Sequence, residues 1–543
     1  MLITPPGRLR RAHPDGSAPG SLLRPGRNVW RATRAGRAAV LSDGATYFGA
    51  LRQAMLNARR TIHVAGWDID SRMRLVGDLP AGQAPADGLP DTLGAFLSAL
   101  TDLNPDLTIR LLLWDYSVLY AIERELLPVL SLRWNTPPRV ELCLDAETPF
   151  GASHHQKVVV VDDKVAFCGG LDLTIRRWDT QRHDPDDPRR VDPAGKPYPP
   201  FHDVQAVVDG EAAATLGALF RTRWLRAAGE SLTPTETDAS HDPWPASTAP
   251  DVTDIRTGIA RTRPEHRLQT PRREVEALYL DSIATAERHV YLENQFLTCS
   301  RIARAMIRRM RQKPGLEVVM VAPKTHHTWL EHRTMLAGRI RFMNLFRRAR
   351  LTDRVRLLYP HVTGSQSSGA GSEREVMVHA KVMVVDDRLM RVGSSNIANR
   401  SMGLDTECDL MFEARDEPQR AAIARMRDRL IGEHLGLSPE DVASRLAQTG
   451  SLIAAVDRGG ADGHDLLPVK DGRRAVRDFS PASSARPTRA APSRRARRWP
   501  TTSAILTRRR HPAVRGRCCS ASRSPSPSRA RWRCCGRRRR SRR

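Results

Sequence analysis

The chain has 543 residues, with 87 Lys plus Arg against 60 Asp plus Glu and a formal net charge of +27. Of these, 21 Arg and no Lys, Asp or Glu fall in residues 480–543, so residues 1–479 carry 66 basic and 60 acidic side chains, a net charge of +6. A body of that length can bury sizeable cores in two or more domains, and its composition excludes a collagen-like, disulfide-stapled or wholly disordered chain. Eight Cys with no C-x-x-C and no Cys/His ligand spacing argue against a zinc module. Cys143, Cys168, Cys299 and Cys408 read as small buried apolar residues. No signal-peptide pattern opens the chain and no run of about 18 apolar residues occurs, which points to the cytoplasm.

In chain order, residues 1–40 are rich in Arg, Gly and Pro and read as a flexible leader. A helix is expected over 43–59, with Ser42 before it and Tyr47, Leu51, Ala54, Met55 and Ala58 at helical spacing. Strands are expected at 61–67, 108–114, 140–144, 157–161 and 204–208. Val-rich runs this short, alternating with helices, predict a sheet covered on both faces. The Pro- and Asp-rich stretch 182–200 reads as a loop inserted in the first half, and 230–256 as a linker. The order then repeats, with a helix over 274–288 and strands at 289–292, 316–321, 355–358 and 378–386. Two similar domains, 41–229 and 257–470, are therefore predicted to pack about a pseudo-two-fold axis. An Arg-rich tail over 471–543 is read as disordered. Its bias is what a GC-rich coding sequence gives out of frame, so a frameshift near 475–490 is expected to have replaced the natural continuation.

The repeat carries one motif twice. His155, Lys157 and Asp162, and 224 residues later His379, Lys381 and Asp386, each obey H-x-K-x-x-x-x-D. On a strand, residues i and i+2 share a face, so each His stands beside its Lys. Small-residue turns follow, with Gly169, Gly170 and Asp172 in the first copy and Gly393, Ser394 and Asn396 in the second. Such turns can aim backbone N–H groups at an anion. A single copy is compatible with a solvated strand face; two copies on a duplicated scaffold point to a site.

Over about residues 42–432 the chain resembles the phospholipase D superfamily with two HKD motifs. The segments at Gly66–Asp70, Trp114–Tyr116, Phe201–Asp203, Phe220–Trp224 and Tyr291–Phe296 also resemble bacterial phospholipase D and cardiolipin synthase-like proteins. The resemblance implies two pseudo-symmetric α/β sandwich domains, each a mixed sheet flanked by helices, meeting at one central active site. It further implies a phosphohistidine mechanism with no cofactor and no metal. His155 would attack phosphorus and His379 would serve as acid and base, while Lys157 and Lys381, with Asn396 and Ser394, would neutralise phosphoryl charge. Gly170 and Asp172 are the first-half members of the same substrate-binding set.

A nucleophilic His needs a carboxylate to set its tautomer. Glu407 stands where family members carry such an acid, and Asp203 is read as its first-half counterpart. Asp162 and Asp386 complete the motif yet sit five residues past each Lys, which favours a structural role. Because Asp172 cannot donate an amide hydrogen bond while ionised, the two phosphate-binding halves are expected to be unequal. Trp67, Trp114 and Trp224 read as core or pocket wall, and His326, His327 and His361 as candidates for the rim. The expected substrate is a phospholipid at a membrane surface, with water or an alcohol as acceptor. Phospholipase D activity ranks first, cardiolipin-type transfer second, and nuclease action or polyanion binding by the tail third. A monomeric catalytic unit, peripheral at the inner membrane, is implied, with a membrane-anchored form of the natural protein.

Overall fold

The structure is a computed structural model that describes residues 20–115, 139–267, 269–325, 329–364 and 373–470. The first part of the leader, Tyr116, His326, His327 and the Arg-rich tail lie outside the described residues.

In the first half the elements run β1 (Arg31–Ser42), α1 (Asp43–Leu56), β2 (Thr61–Gly66), α2 (Leu93–Leu103), β3 (Thr108–Trp114), β4 (Val140–Asp145), β5 (Val158–Val161), β6 (Val165–Gly169), β7 (Val204–Asp209) and α3 (Gly210–Ala228). The second half follows with β8 (Val252–Arg263), α4 (Glu274–Thr285), β9 (His289–Asn294), α5 (Ser300–Gln312), β10 (Glu317–Val321), α6 (Trp329–Ala349), β11 (Val355–Thr363), β12 (Lys381–Val385), β13 (Leu389–Gly393), β14 (Glu407–Glu413) and α7 (Glu417–Leu435). Two further helices, Pro439–Thr449 and Leu452–Asp457, lead to β15 (His464–Pro468).

The ladders connect in the order β4-β3-β2-β5-β6-β7-β1-β8-β14-β13-β12-β9-β10-β11. This order reads the same outward from the β1–β8 pair in both directions, which is the duplication written as topology. The strands β2, β3 and β4 are parallel, as are β9, β10 and β11, while the inner pairings are antiparallel. Parallel neighbours need a crossover, and α2 and α5 supply it in corresponding places.

The central strand β1 is a correction to the sequence reading, which placed it inside a leader. Its run Arg31–Ser42 has few large apolar residues; part of it pairs with β7 and part with β8, and the side chains it does bury, such as Ala35, Ala38, Ala39 and Val40, are mostly small. The Val runs are explained as expected. Val158 and Val160 face one core and Val159 and Val161 another, and Val382 and Val384 alternate likewise with Met383 and Val385. The first of these cores spans both halves. Among the described residues no helix is long and apolar enough to cross a membrane.

Candidate active site

Each motif begins just before its strand, and there the chain is bonded to the opposite half. The His155 N–H donates to the Thr406 carbonyl (3.0 Å) and the Thr406 N–H to the Ser153 carbonyl (2.9 Å). Correspondingly, the His379 N–H donates to the His202 carbonyl (2.7 Å) and the Met377 N–H to the Pro200 carbonyl (2.9 Å). Thr406 and His202 are the residues immediately before the two carboxylates, so the side chains cross over as well. His155 Nδ1 lies 2.9 Å from Glu407 Oε2, and His379 Nδ1 lies 2.6 Å from Asp203 Oδ2. Each half thus carries the acid of the other half's histidine. A carboxylate on Nδ1 holds the proton there and leaves Nε2 as the reactive nitrogen. The sequence singled out all four residues, but not the exchange. Both imidazoles are half-buried, whereas both acids are fully buried.

The two lysines are placed unequally. Lys157 pairs with Asp172 (3.1 Å) and donates to the His155 carbonyl (3.1 Å). Asp172 also accepts from the Trp67 N–H (2.8 Å), so it is a counter-charge rather than a phosphate donor. Lys381 donates to the His379 carbonyl and to Gln295 Oε1 (3.2 Å), and lies 3.2 Å from His379 Nδ1. Asn396, the second-half equivalent of Asp172, brings Nδ2 within 3.5 Å of the same Gln295 oxygen. The second cation therefore faces a neutral amide where the first faces a carboxylate. Gln295 carries no signal of its own in the sequence beyond its place in the Tyr291–Phe296 segment.

Burial and these cations set the proton affinities. Removal from water pushes Glu407 up to about 8, against the hydrogen bond from Ser394 Oγ to its Oε2 (2.5 Å). Burial and then the positive charges of Lys157 and Lys381 hold His155 down at about 3. His379 is held well below its ordinary value by burial, then by Lys381, Arg177 and Lys157. Asp203 is raised to about 6 by burial, with Lys381 opposing, and Lys381 itself falls to about 7 because it is buried. Both histidines respond to both lysines, so the two motifs share one electrostatic site. Burial and the lysines disfavour the imidazolium form of both histidines, and Glu407 keeps its proton to higher pH than Asp203.

Other expected members fall elsewhere. Asp162 accepts the N–H groups of Arg59, Arg60 and Thr61 (2.7–2.8 Å) and lies 2.8 Å from His241 Nε2. Asp386 accepts those of Glu287, Arg288 and His289 (2.5–2.9 Å). Both fasten the turn between a helix and the strand beside the motif. The glycine turns do not offer free N–H groups either. The Gly170 N–H donates to the Val204 carbonyl (3.2 Å), the Ser394 N–H to the Cys408 carbonyl (3.0 Å) and the Ser395 N–H to Asp409 Oδ1 (3.1 Å). Gly170 is instead small because a Cβ there would overlap the Asp203 carboxylate. Trp114 and Trp224 are buried, and Trp67 stacks on Trp114 at 5.9 Å between ring centroids. His361 lies 3.7 Å from Glu373 at the end of β11.

The fold and this geometry define a duplicated α/β protein whose two histidine–lysine motifs close one anion-compatible site between crossed carboxylates. A family model described as cardiolipin synthase, phospholipase D-like domain matches residues 279–428, the half that holds the second motif. The chain is 25% identical to phospholipase D A of Dictyostelium discoideum over 73% of its own length and 35% of that protein. It is 22% identical to phospholipase D alpha 1 of Carica papaya over 72% and 64% of the two chains. The chain thus spans between about a third and two thirds of these curated relatives. Among solved structures, phosphatidylserine synthase of Haemophilus influenzae aligns over 74% of this chain and 87% of that one, at 12% identity and a TM-score of 0.46. The chain is thus similar to phospholipases D over about 73% of its length, and a phospholipase D-like domain model matches part of its second half.

Proposed function

We propose that the protein is a phosphodiesterase that cleaves the headgroup ester of a phospholipid, releasing phosphatidic acid, through a phosphohistidine. The observation that carries this reading is the crossed pairing, which gives two imidazoles a carboxylate each and puts two lysines within electrostatic reach of both. Nε2 of one imidazole attacks phosphorus; the P–N bond forms as the bond to the headgroup oxygen breaks. The other imidazole delivers a proton to that oxygen, then takes one from water, and the resulting hydroxide breaks the P–N bond. An alcohol in place of water yields a transferred phosphatidyl group. The lysines stabilise the charge that builds on the phosphoryl oxygens.

We assign attack to His155, following the order implied by the resemblance. A second reading is favoured by the order of the two acids' proton affinities. Asp203 releases its proton before Glu407 does, which leaves His379 Nε2 ready to attack while Glu407 keeps a proton for the leaving group. Acid-free quenching of a radiolabelled phospholipid turnover, followed by peptide mapping, separates them. Label on His155 supports the first assignment, and label on His379 reverses it.

The reaction itself is tested with phosphatidylcholine, phosphatidylglycerol and single-stranded DNA, each with and without ethanol. Phosphatidic acid from the lipids, lost in His155→Ala and His379→Ala, is the expected result. Phosphatidylethanol would identify transfer, and cardiolipin from phosphatidylglycerol would favour the synthase reading that the family model's description suggests. Cleavage of DNA alone, or turnover retained in both variants, would refute the proposal.

A further inference from the structure

Behind Asp203 lies a second cluster that the phosphodiester chemistry does not use. Asp43, His183, His202 and Glu433 each offer one ligand atom, and those atoms all lie within 4.8 Å of one another. His202 Nδ1 is 2.9 Å from Asp43 Oδ1 and 2.7 Å from Glu433 Oε1; His183 Nε2 is 3.3 Å from Glu433 Oε1 and 3.6 Å from Asp43 Oδ2. None of the four side chains is more than 2% exposed. Two carboxylate oxygens, Asp43 Oδ2 and Glu433 Oε2, are buried in this group without a hydrogen-bond partner.

The far side of each imidazole is decisive. His183 presents its other nitrogen, Nδ1, to Asp179 Oδ2 (2.9 Å), and His202 presents Nε2 to Glu293 Oε2 (2.7 Å). Those carboxylates are anchored in turn: Asp179 accepts from Arg190 (3.0 Å), and Glu293 from the Tyr291 hydroxyl (2.7 Å). A carboxylate behind each histidine, fixing the inward nitrogen as the donor, is the arrangement that metal-binding histidines carry. Four ligands about 2.0–2.2 Å from a tetrahedral ion stand roughly 3.3–3.6 Å apart; two of the separations here, 3.3 and 3.6 Å, match that spacing, and those at 2.7 and 2.9 Å would open by under about 1 Å on binding. Two carboxylates would also neutralise a divalent charge in a buried site.

We propose that Asp43, His183, His202 and Glu433 form a binding site for one divalent transition-metal ion of the zinc class, with Asp179 and Glu293 behind the two histidines. Spacing in the sequence excluded a zinc module because it considered neighbouring Cys and His; these ligands are spread over 391 positions and meet only in the fold. The site also gives the inserted loop a purpose. His183 comes from that insertion, Asp43 from the start of α1, and Glu433 from the last turn of α7. Asp43 in addition accepts the Asp203 N–H (3.2 Å) and donates its own N–H to the Asp203 carbonyl (2.8 Å). The ion would therefore hold in place the backbone of the residue that positions His379, without touching substrate.

The test is metal analysis of the untagged full chain by mass spectrometry, then loading of the stripped protein with Zn2+ or Co2+. About one equivalent of Zn2+, visible absorption bands of four-coordinate Co2+ and a Zn2+-dependent rise in melting temperature are expected. His183→Ala and Glu433→Gln should each lower affinity at least tenfold, while fold is checked by circular dichroism. Should those variants fail to fold, the Co2+ spectrum of the unaltered protein still decides. A spectroscopically silent protein with no retained metal overturns the proposal. So does equal binding by both folded variants, which would mean an adventitious ion only. None of these readouts depends on phospholipid turnover.

Discussion

Replacing Glu407 by Gln keeps the shape of a fully buried side chain and removes its charge and its proton. Two opposite effects should follow. Burial raises this carboxyl from 4.5 to about 8 in the folded protein, so between those values the folded state holds a proton that the unfolded state has released. Stability of the unaltered protein therefore falls as pH rises through that window, at about 1.4 kcal/mol per unit. Over roughly three and a half units the accumulated cost is on the order of 5 kcal/mol, and Gln does not incur it. The difference in unfolding free energy between Glu407→Gln and the unaltered protein should grow in the variant's favour from pH 4.5 to pH 8. His155 and Lys381 titrate in both proteins and largely cancel in that difference. Activity should move the other way. The variant can neither take up nor return a proton beside the imidazole 2.9 Å away when that histidine charges during turnover, and kcat/KM on a phosphodiester should fall by about 10²–10⁴. Urea unfolding at pH 5, 6.5 and 8, beside turnover of bis(p-nitrophenyl) phosphate, measures both. A stability difference flat with pH, or activity within about fivefold of normal, would refute the reasoning.

Three further outcomes follow from the same geometry. Gly170→Ala places a methyl group against the Asp203 carboxylate and should cut kcat by about 10²-fold, with the change read in kcat rather than KM. Asp386→Ala leaves three backbone N–H groups without their acceptor and should cost about 2–4 kcal/mol in urea unfolding, while kcat per folded molecule stays within about threefold. Lys381→Met removes a cation whose folded value of about 7 lies below its ordinary 10.5. That group destabilises the fold fully below pH 7 and progressively less up to pH 10.5, so the variant's stability advantage should shrink by about 1.4 kcal/mol per unit across that range, with activity lost throughout.

Most of the strand positions were legible because Val runs and helical spacing depend on burial, which composition records. Strand β1 was not, since Arg31–Ser42 is held between two backbone ladders and most of its buried side chains are small. The histidines and lysines stood out through repetition. The acids Glu407 and Asp203 were found through the resemblance, but which histidine each serves was not, because the bond from His155 to Glu407 spans 252 residues and that from His379 to Asp203 spans 176. The glycines were legible as small residues but misread as donors. Their smallness serves Asp203 and Asp409, whose carboxylates occupy the space a Cβ would take.

The exchange of acids has a consequence for how the duplication works. Had Asp203 served His155 and Glu407 served His379, each half would carry a complete dyad, and one half could drift while the other remained competent. Here the two backbone bonds, His155 to Thr406 and His379 to His202, force each dyad to form only when both halves are docked. The hydrophobic core shared by β5, β7, β12 and β14 supplies the energy of that docking, and the polar bonds supply its register. A substitution deep in either half should therefore disable both histidines together. Their differing proton affinities then arise from unequal charged neighbours, Arg177 beside His379 against Asp405 and Asp172 beside His155, rather than from any independence of the halves.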